Sequence, residues 1–233
     1  MHIPDGFINA PVSAAAGAVA IGLTAVAVKR ASDELDERRA PLAGLVAAFV
    51  FAVQMLNFPV AGGTSGHLLG GVLAAVLVGP WTGAICIALV LLIQGLVFAD
   101  GGLSALGLNV LNMAFVGGVG GYAVFRAIRG VLPKTKPMVV AASGVAAGIS
   151  VVMASIAFFI EYWLGGTTEV SLRTVFAAMV GVHTLIGIGE GIITFLTVGA
   201  VMAVRPDLVY GGRDLLPALT VTPSGVTTPG GAS

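Results

Sequence analysis

The residues of this sequence best suited to chemistry are the first two, Met1 and His2. The free amine of Met1, the amide nitrogen of His2 once deprotonated, and the His2 imidazole can all reach one ion. Amine and amide close a five-membered chelate ring, amide and imidazole close a six-membered ring, and both rings favour one plane. Three coplanar nitrogens with an open corner suit Ni(II), Cu(II) or a Co(II) held in the same geometry. The alternative is an accidental histidine in a frayed terminus.

A second histidine, His67, ends a glycine-rich connection at residues 61–67. Glycines allow a backbone to approach another group closely, so this connection is predicted to bring the His67 imidazole to the terminus as the fourth nitrogen. The alternative is a flexible loop whose histidine caps the next helix. Chance histidine pairs are rare in so apolar a chain, and this favours the ligand interpretation.

Several polar residues are candidates to hold the ligands by hydrogen bonds. Gln54 and Asn57 share one face of a predicted helix that ends just before the glycine connection, and ordinary contacts between helices are the alternative. Thr64 and Ser65 lie in the connection and are candidates for the same support. Asp5 lies in a turn-forming stretch and is expected to shape the terminal turn or to accept a hydrogen bond from a ligand.

The last apolar segment contains two ionisable residues, His183 and Glu190, seven positions apart and therefore on one face of a helix. Ionisable groups inside a membrane span are costly and point to function. One interpretation is a proton or ion path, as in a secondary transporter. The other interpretation places His183 beneath the metal site and Glu190 in hydrogen bonds between helices. We favour it because one acid and one histidine are few groups for a proton-relay chain.

The composition indicates an integral membrane protein with all-α structure. The 233 residues are 57% hydrophobic and 9% charged, with a mean hydropathy of +1.03, whereas soluble domains carry roughly 25% charged residues. Each helical span needs about 20 apolar residues. The sequence predicts seven transmembrane helices in one substrate-binding domain, residues 1–204, followed by a mobile tail at 205–233. The predicted spans are 9–28, 41–60, 68–78, 81–98, 103–125, 138–164 and 175–204.

The charged residues predict the orientation in the membrane. Seven spans place ten of the 11 Lys and Arg residues on one side, and only Arg173 on the other. Basic residues in short loops mark the cytoplasmic side. The amino terminus and His67 are therefore predicted to lie outside, on a face whose acidic connections attract cations.

Four short motifs resemble the CbiM/NikM family, the substrate-specificity membrane components of energy-coupling factor (ECF) transporters for cobalt and nickel. They are MHIPDG at 1–6, NFPV at 57–60, GTSGHL at 63–68 and GIGEG at 187–191. The resemblance extends over about residues 1–204. It implies a six-helix substrate-binding core with an added N-terminal helix, in the cytoplasmic (inner) membrane of a prokaryote. It also implies that Met1, His2 and His67 bind Ni²⁺ or Co²⁺ as the transported substrate, with no organic cofactor.

The resemblance further implies partners, namely a transmembrane coupling subunit, the T component, and cytoplasmic ATPases. The sequence has no Walker A motif, so we expect a transport subunit that is not an enzyme, with ATP hydrolysis on other chains. Some relatives carry a fused C-terminal membrane domain, and here that helper is expected to be a separate small protein or absent. No feature suggests nucleic acid. The alternative function is a stand-alone, proton-coupled secondary metal transporter that uses His183 and Glu190. A membrane metalloenzyme has weaker support, since no general base lies near the predicted site.

Overall fold

The computed structural model describes residues 1–35, 37, 39–60 and 65–216, and for residues 58, 59 and 65 only the backbone. Thr64 therefore lies outside the described residues. Two two-residue strands, β1 (Phe58–Pro59) and β2 (Ser65–Gly66), pair antiparallel. Two short 3-10 helices, Pro206–Leu208 and Tyr210–Leu215, follow the last α-helix. The helices of the described part are α1 (Ala10–Ala31), α2 (Arg39–Gln54), α3 (Gly71–Val78), α4 (Pro80–Val97), α5 (Leu106–Val131), α6 (Lys136–Gly165) and α7 (Leu172–Val204). The middle of α5, Leu111–Gly120, is π-helical.

Five of these helices, α1, α4, α5, α6 and α7, are long and apolar enough to cross a membrane. This confirms the prediction of a multi-pass, all-helical membrane protein. Two of the seven predicted spans form shorter helices: in place of 41–60, α2 ends at Gln54 after 16 residues, and in place of the already short 68–78, α3 has only eight residues. Eight residues rise about 12 Å, against a hydrocarbon core of about 30 Å. Hydropathy counts apolar residues whatever their backbone conformation, so it could not reveal the short helix.

The backbone before α3 is irregular, and polar side chains from neighbouring helices satisfy it. Gly70 has a φ of +73°, and it directly precedes a helix whose eight residues are all buried. The amides of Leu69 and Gly70 donate to the carboxylate of Glu190 at 2.8 and 2.7 Å, and the Gln54 amide donates to the Leu69 carbonyl at 2.6 Å. Non-helical backbone at membrane depth is tolerated only when it is buried and paired in this way.

The contacts between connections divide the helix ends into two groups, one at each end of the bundle. The amino end of the bundle contains residues 1–9, His67 and the connections 98–105 and 165–171, which contact one another. The carboxyl end contains residues 32–35, 79–82, 132–135 and 205–216. There the Glu34 carboxylate accepts hydrogen bonds from the amides of Trp81 and Thr82 at 3.2 and 2.7 Å, while its carbonyl accepts one from Arg213 at 3.3 Å.

Helix α7 ends at Val204. Beyond it, the second 3-10 helix packs back on α5, where a Cβ on Gly211 would lie 3.0 Å from the ring of Phe125. Residues 217–233, the remainder of the predicted tail, lie outside the described residues.

Candidate metal centre

The first nine residues form a non-helical segment with a turn at Asp5 and Gly6, and this segment is held between two connections at the amino end. Met1 and Ile3 are fully buried. The Gly102 amide donates to the Ile3 carbonyl at 2.8 Å on one side, and the Thr167 amide donates to the Phe7 carbonyl at 3.1 Å on the other. The terminus is therefore a packed part of the fold.

The side chain of Asn109 on α5 fixes the segment next to the chelating residues. Its carbonyl oxygen accepts from the Ile3 amide at 2.8 Å, and its amide lies 3.3 Å from the Ile3 carbonyl. The connection after α4 approaches closely because it contains two glycines. A Cβ on Gly101 (φ +89°) would lie 2.9 Å from the His2 ring, and one on Gly102 would overlap the Asp5 amide nitrogen.

The His2 imidazole is buried between α4 and the connection that follows it. Its Nε2 lies 3.2 Å from the Oε1 of Gln94, and its Nδ1 lies 3.2 Å from the carboxylate of Asp100. Gln94 favours a proton on Nε2, which leaves a lone pair on Nδ1, whereas the Asp100 carboxylate favours a proton on Nδ1. Nδ1 is the atom that closes a six-membered ring with the His2 amide, so chelation requires the tautomer that Gln94 favours.

The His67 imidazole stacks on that of His2, with ring centroids 4.5 Å apart and planes inclined at 29°. Its Nδ1 lies 2.7 Å from the carbonyl of Leu68, which identifies Nδ1 as the donor. Its Nε2 is buried and has no hydrogen-bond partner among the described residues. A buried acceptor without a partner is costly, and a metal ion would satisfy it.

Burial keeps the candidate ligand nitrogens unprotonated. The pKa of the Met1 amine lies well below its ordinary value, chiefly because the group is buried, although Asp100 opposes the shift. Burial also lowers the pKa of His67 strongly, and the nearby amine and His2 lower it further. The pKa of His2 is lowered by burial as well, with the Asp100 and Gln94 contacts opposing. Metal ligands must be deprotonated, so these groups are prepared to bind at neutral pH.

The acidic side chains of the amino end hold the connections together. Asp100 accepts a hydrogen bond from Asn57 at 2.9 Å, and its pKa is lowered chiefly by the contact with His2. Asp5 accepts hydrogen bonds from the amide and hydroxyl of Ser104 at 2.8 and 2.5 Å. Asp5 therefore ties the terminal turn to the 100–105 connection and does not contact the histidines in the described structure.

The remaining predicted residues lie behind the two stacked rings. His183 is fully buried, its Nδ1 lies 2.7 Å from the Met179 carbonyl, and its Nε2 has no hydrogen-bond partner in the described part of the chain. A Cβ on Gly66 would lie 3.5 Å from the Cε1 of His183. Glu190 and Gln54 hydrogen-bond the backbone of Leu69 and Gly70, as described above. For Ser65, only the backbone pairing with Pro59 is described.

The arrangement can supply four nitrogens, namely the Met1 amine, the His2 amide and imidazole, and the His67 imidazole. The described residues contain no cluster of three or more His, Cys, Asp or Glu side chains arranged for a metal ion. A site that uses main-chain nitrogens needs only two side chains, as here. The stacked rings would have to turn so that both lone pairs point at one ion.

Sequence reasoning identified neither Gln94 nor Asn109 as a site residue. Gln94 is the one amide side chain in the apolar run 83–98, and an isolated polar residue in a span is itself a signal of function. The signal could not identify its partner, because Gln94 and His2 are 92 positions apart.

Residues 2–208 match the family described as "Cobalt uptake substrate-specific transmembrane region", CbiM. The chain belongs to the CbiM family. A cobalt transport protein CbiM from Sorangium cellulosum is 32% identical over 217 residues, which are 90% of this chain and 94% of the relative. A chain from Archaeoglobus fulgidus with the provisional name of a fused nickel transport protein, NikMN, is 40% identical over 209 residues, 90% of this chain and 68% of its own.

A crystal structure of a transition metal transporter shares the fold of this CbiM-family chain. Its TM-score is 0.81 at 32% identity, and the match covers 88% of this chain and 93% of the other. The sequence motifs thus identified the family correctly. The protein is a membrane protein of a cobalt and nickel transport family, and Ni²⁺ or Co²⁺ is the substrate that these similarities favour.

Replacing Gln94 tests how the CbiM-family site holds His2. Gln94→Leu is expected to weaken nickel or cobalt binding about 10- to 100-fold, because loss of a hydrogen-bond partner of a metal ligand has effects of that size. Gln94→Glu keeps an acceptor for Nε2 and should retain most of the affinity. Isothermal titration measures the metal affinity of both variants. If Gln94→Leu binds metal with the affinity of the wild type, Gln94 does not position the His2 imidazole.

The depressed pKa values predict how the stability of the metal-free protein depends on pH. The unfolded amine and imidazoles take up protons near their ordinary pKa values of 8.0 and 6.5, whereas the folded groups resist protonation. Below those values the unfolded state binds more protons at these groups, so their contribution to the free energy of unfolding should fall as pH drops from about 8 to 5. Thermal unfolding of wild type and His67→Gln in detergent measures this. The stability lost by wild type relative to His67→Gln should grow as pH falls, and a constant difference between the two proteins would contradict the prediction.

Proposed function

We propose that this chain is the metal-capture subunit of an ATP-driven, ECF-type uptake transporter for Ni²⁺ or Co²⁺. The observation that carries the proposal is the convergence of the buried Met1 amine with the stacked rings of His2 and His67, 4.5 Å apart. The Met1 amine, the His2 amide, the His2 Nδ1 and the His67 Nε2 occupy the four corners around the ion. A tetragonal, all-nitrogen site selects late divalent ions of this kind.

The proposed chelate loads from outside the cell. In the proposed topology the chain crosses seven times between the two ends of the bundle, and residues 68–70 together with α3 make the third crossing. Among the described residues, Arg173 is the only Lys or Arg at the amino end, while nine others lie towards the carboxyl end. This asymmetry supports a cytoplasmic carboxyl end. The metal site then faces the outside of the cytoplasmic (inner) membrane.

Glu190 and Gln54 hold the connection that carries His67, so they set its position relative to the terminus. Both carboxylate oxygens of Glu190 accept backbone hydrogen bonds. This occupancy favours a structural role for Glu190 over the proton path of a stand-alone secondary transporter. His183 lies behind His67 and packs against Gly66, where it supports the glycine connection.

Transport requires partners in this proposal. The 233 residues contain no Walker A motif, so the energy comes from separate ATPase subunits through a T component, with or without a small membrane helper protein. ATP hydrolysis on those chains drives the reorientation that releases the ion inside.

Reconstitution distinguishes the proposed function from its rival. Proteoliposomes that contain this chain with co-expressed T and ATPase subunits should accumulate ⁶³Ni²⁺ or ⁵⁷Co²⁺ only when ATP is supplied. Liposomes that contain the chain alone should bind the ion without accumulating it. Accumulation by the chain alone under a proton gradient, lost in Glu190→Gln, would support the secondary transporter instead.

A further inference from the structure

A basic pocket lies at the carboxyl end, far from the metal centre. It has a volume of about 390 Å³, and four cationic side chains line it against the single carboxylate of Asp214. The cations come from the end of α5, from the α5–α6 connection and from the second 3-10 helix: Arg126, Arg129, Lys134 and Arg213. None of these side chains takes part in the proposed metal chemistry.

The fold builds this pocket by folding the chain back after α7. The Arg129 guanidinium is nine-tenths buried and pairs with Asp214 at 3.0 Å. The Arg213 guanidinium lies 3.9 Å from the centre of the Tyr210 ring and also donates to the Glu34 carbonyl. These contacts hold Arg129 and Arg213 in place, and the positive charge of both side chains faces the pocket.

The other two cations have no anionic partner within the described residues. Arg126 and Lys134 are exposed, and neither has an ion pair or hydrogen bond there. The pocket therefore has a surplus of positive charge, with two free donors at its rim and a fixed guanidinium at its base. This chemistry fits a phosphate group.

The position of the pocket favours a lipid phosphate over a dissolved one. Helix α5 ends at Val131 and α6 begins at Lys136, both helices are candidate spans, and Lys134 lies in the connection between their ends. Val131 is 85% exposed beside the pocket, and it offers an apolar surface to an acyl chain. Basic pockets between transmembrane helices on the cytoplasmic side are typical sites for anionic headgroups.

We propose that this pocket binds the phosphate headgroup of an anionic phospholipid in the cytoplasmic leaflet. Arg126 and Lys134 contact the phosphate oxygens, and Arg129 and Arg213 supply the positive field behind them. The bound lipid bridges α5 and the segment 206–215, so it stabilises the carboxyl end of the bundle. This inference rests on the proposed orientation in the membrane and not on the proposed metal capture.

Lipid titration of the delipidated, full-length protein by native mass spectrometry tests the proposal. Phosphatidylglycerol should bind in preference to phosphatidylcholine, and inorganic phosphate at equal concentration should not displace it. Arg126→Gln with Lys134→Gln should weaken phosphatidylglycerol binding about 30-fold, since each basic residue contributes on the order of 1 kcal/mol. Arg126→Lys with Lys134→Arg preserves the charge and should bind nearly as wild type.

Two controls make the result decisive. Arg173→Gln removes the one basic residue of the described amino end and should leave lipid binding unchanged, and nickel binding by the double Gln variant should match wild type if it is folded. Equal binding of phosphatidylglycerol by wild type and the double Gln variant, or equal loss in Arg173→Gln, would overturn the proposal. Displacement by inorganic phosphate would show a site for free anions and would overturn the assignment to lipid.

Discussion

Adding a single residue before Met1 is expected to abolish high-affinity nickel and cobalt binding. The extension converts the Met1 amine into an amide and moves the free amine out of reach of the His2 chelate rings. The fold also leaves no room for an added residue, because Met1 is fully buried. Loss of a partner that merely orients a ligand weakens metal binding about 10- to 100-fold, so loss of a ligand should cost more than about 100-fold.

Metal analysis and isothermal titration of the extended protein measure this effect. The matched control carries the same added residue after Ser233, at the other end of the chain, and should bind as wild type. A second control uses thermal unfolding to verify that the extended protein is folded. Stoichiometric, tight binding by a folded protein with an extended or acetylated terminus would exclude the amine as a ligand.

Replacing His67 is expected to have the second largest effect. His67→Gln keeps a polar side chain of similar reach but removes the buried Nε2 lone pair, which has no other partner among the described residues. We expect affinity for Ni²⁺ to fall by more than about 100-fold, since removing a ligand should exceed the 10- to 100-fold effect of removing its supporting partner.

His183→Gln is the matched control, since His183 is equally buried and its Nε2 also has no described partner. The proposed chelate assigns His183 no bond to the ion, so this variant should lose about tenfold or less. Competition titrations with a chromogenic chelator measure both variants. A larger loss of Ni²⁺ affinity in His183→Gln than in His67→Gln would mean that His183 supplies the fourth nitrogen ligand.

The membrane-spanning helices were the most predictable part of the fold. Long apolar runs such as 138–164 and 175–204 became α6 and α7 with ends displaced by a few residues. The third run, 68–78, became a short buried helix because the positive φ of Gly70 delays the helix start and neighbouring side chains satisfy the exposed backbone. A hydropathy pattern does not contain those long-range hydrogen bonds.

The site was predictable where chemistry is local in sequence. Adjacent Met1 and His2 define two chelate rings without any tertiary structure, and the other histidine-bearing motif, GTSGHL at 63–68, indicated His67 as their partner. The side chains that hold these ligands in place were harder to predict from the sequence. Gln94 and Asn109 reach the terminus across 92 and 106 positions, and no spacing in the sequence encodes such pairs.

X-ray absorption spectroscopy at the nickel edge of the loaded, full-length protein with a native terminus tests the proposed chelate most directly. The chelate predicts a first shell of four nitrogen scatterers in tetragonal geometry, with multiple scattering from two imidazoles. His67→Gln should remove one imidazole from that spectrum. A first shell of six oxygens, a sulfur ligand, or a spectrum without imidazole scattering would contradict capture by Met1, His2 and His67.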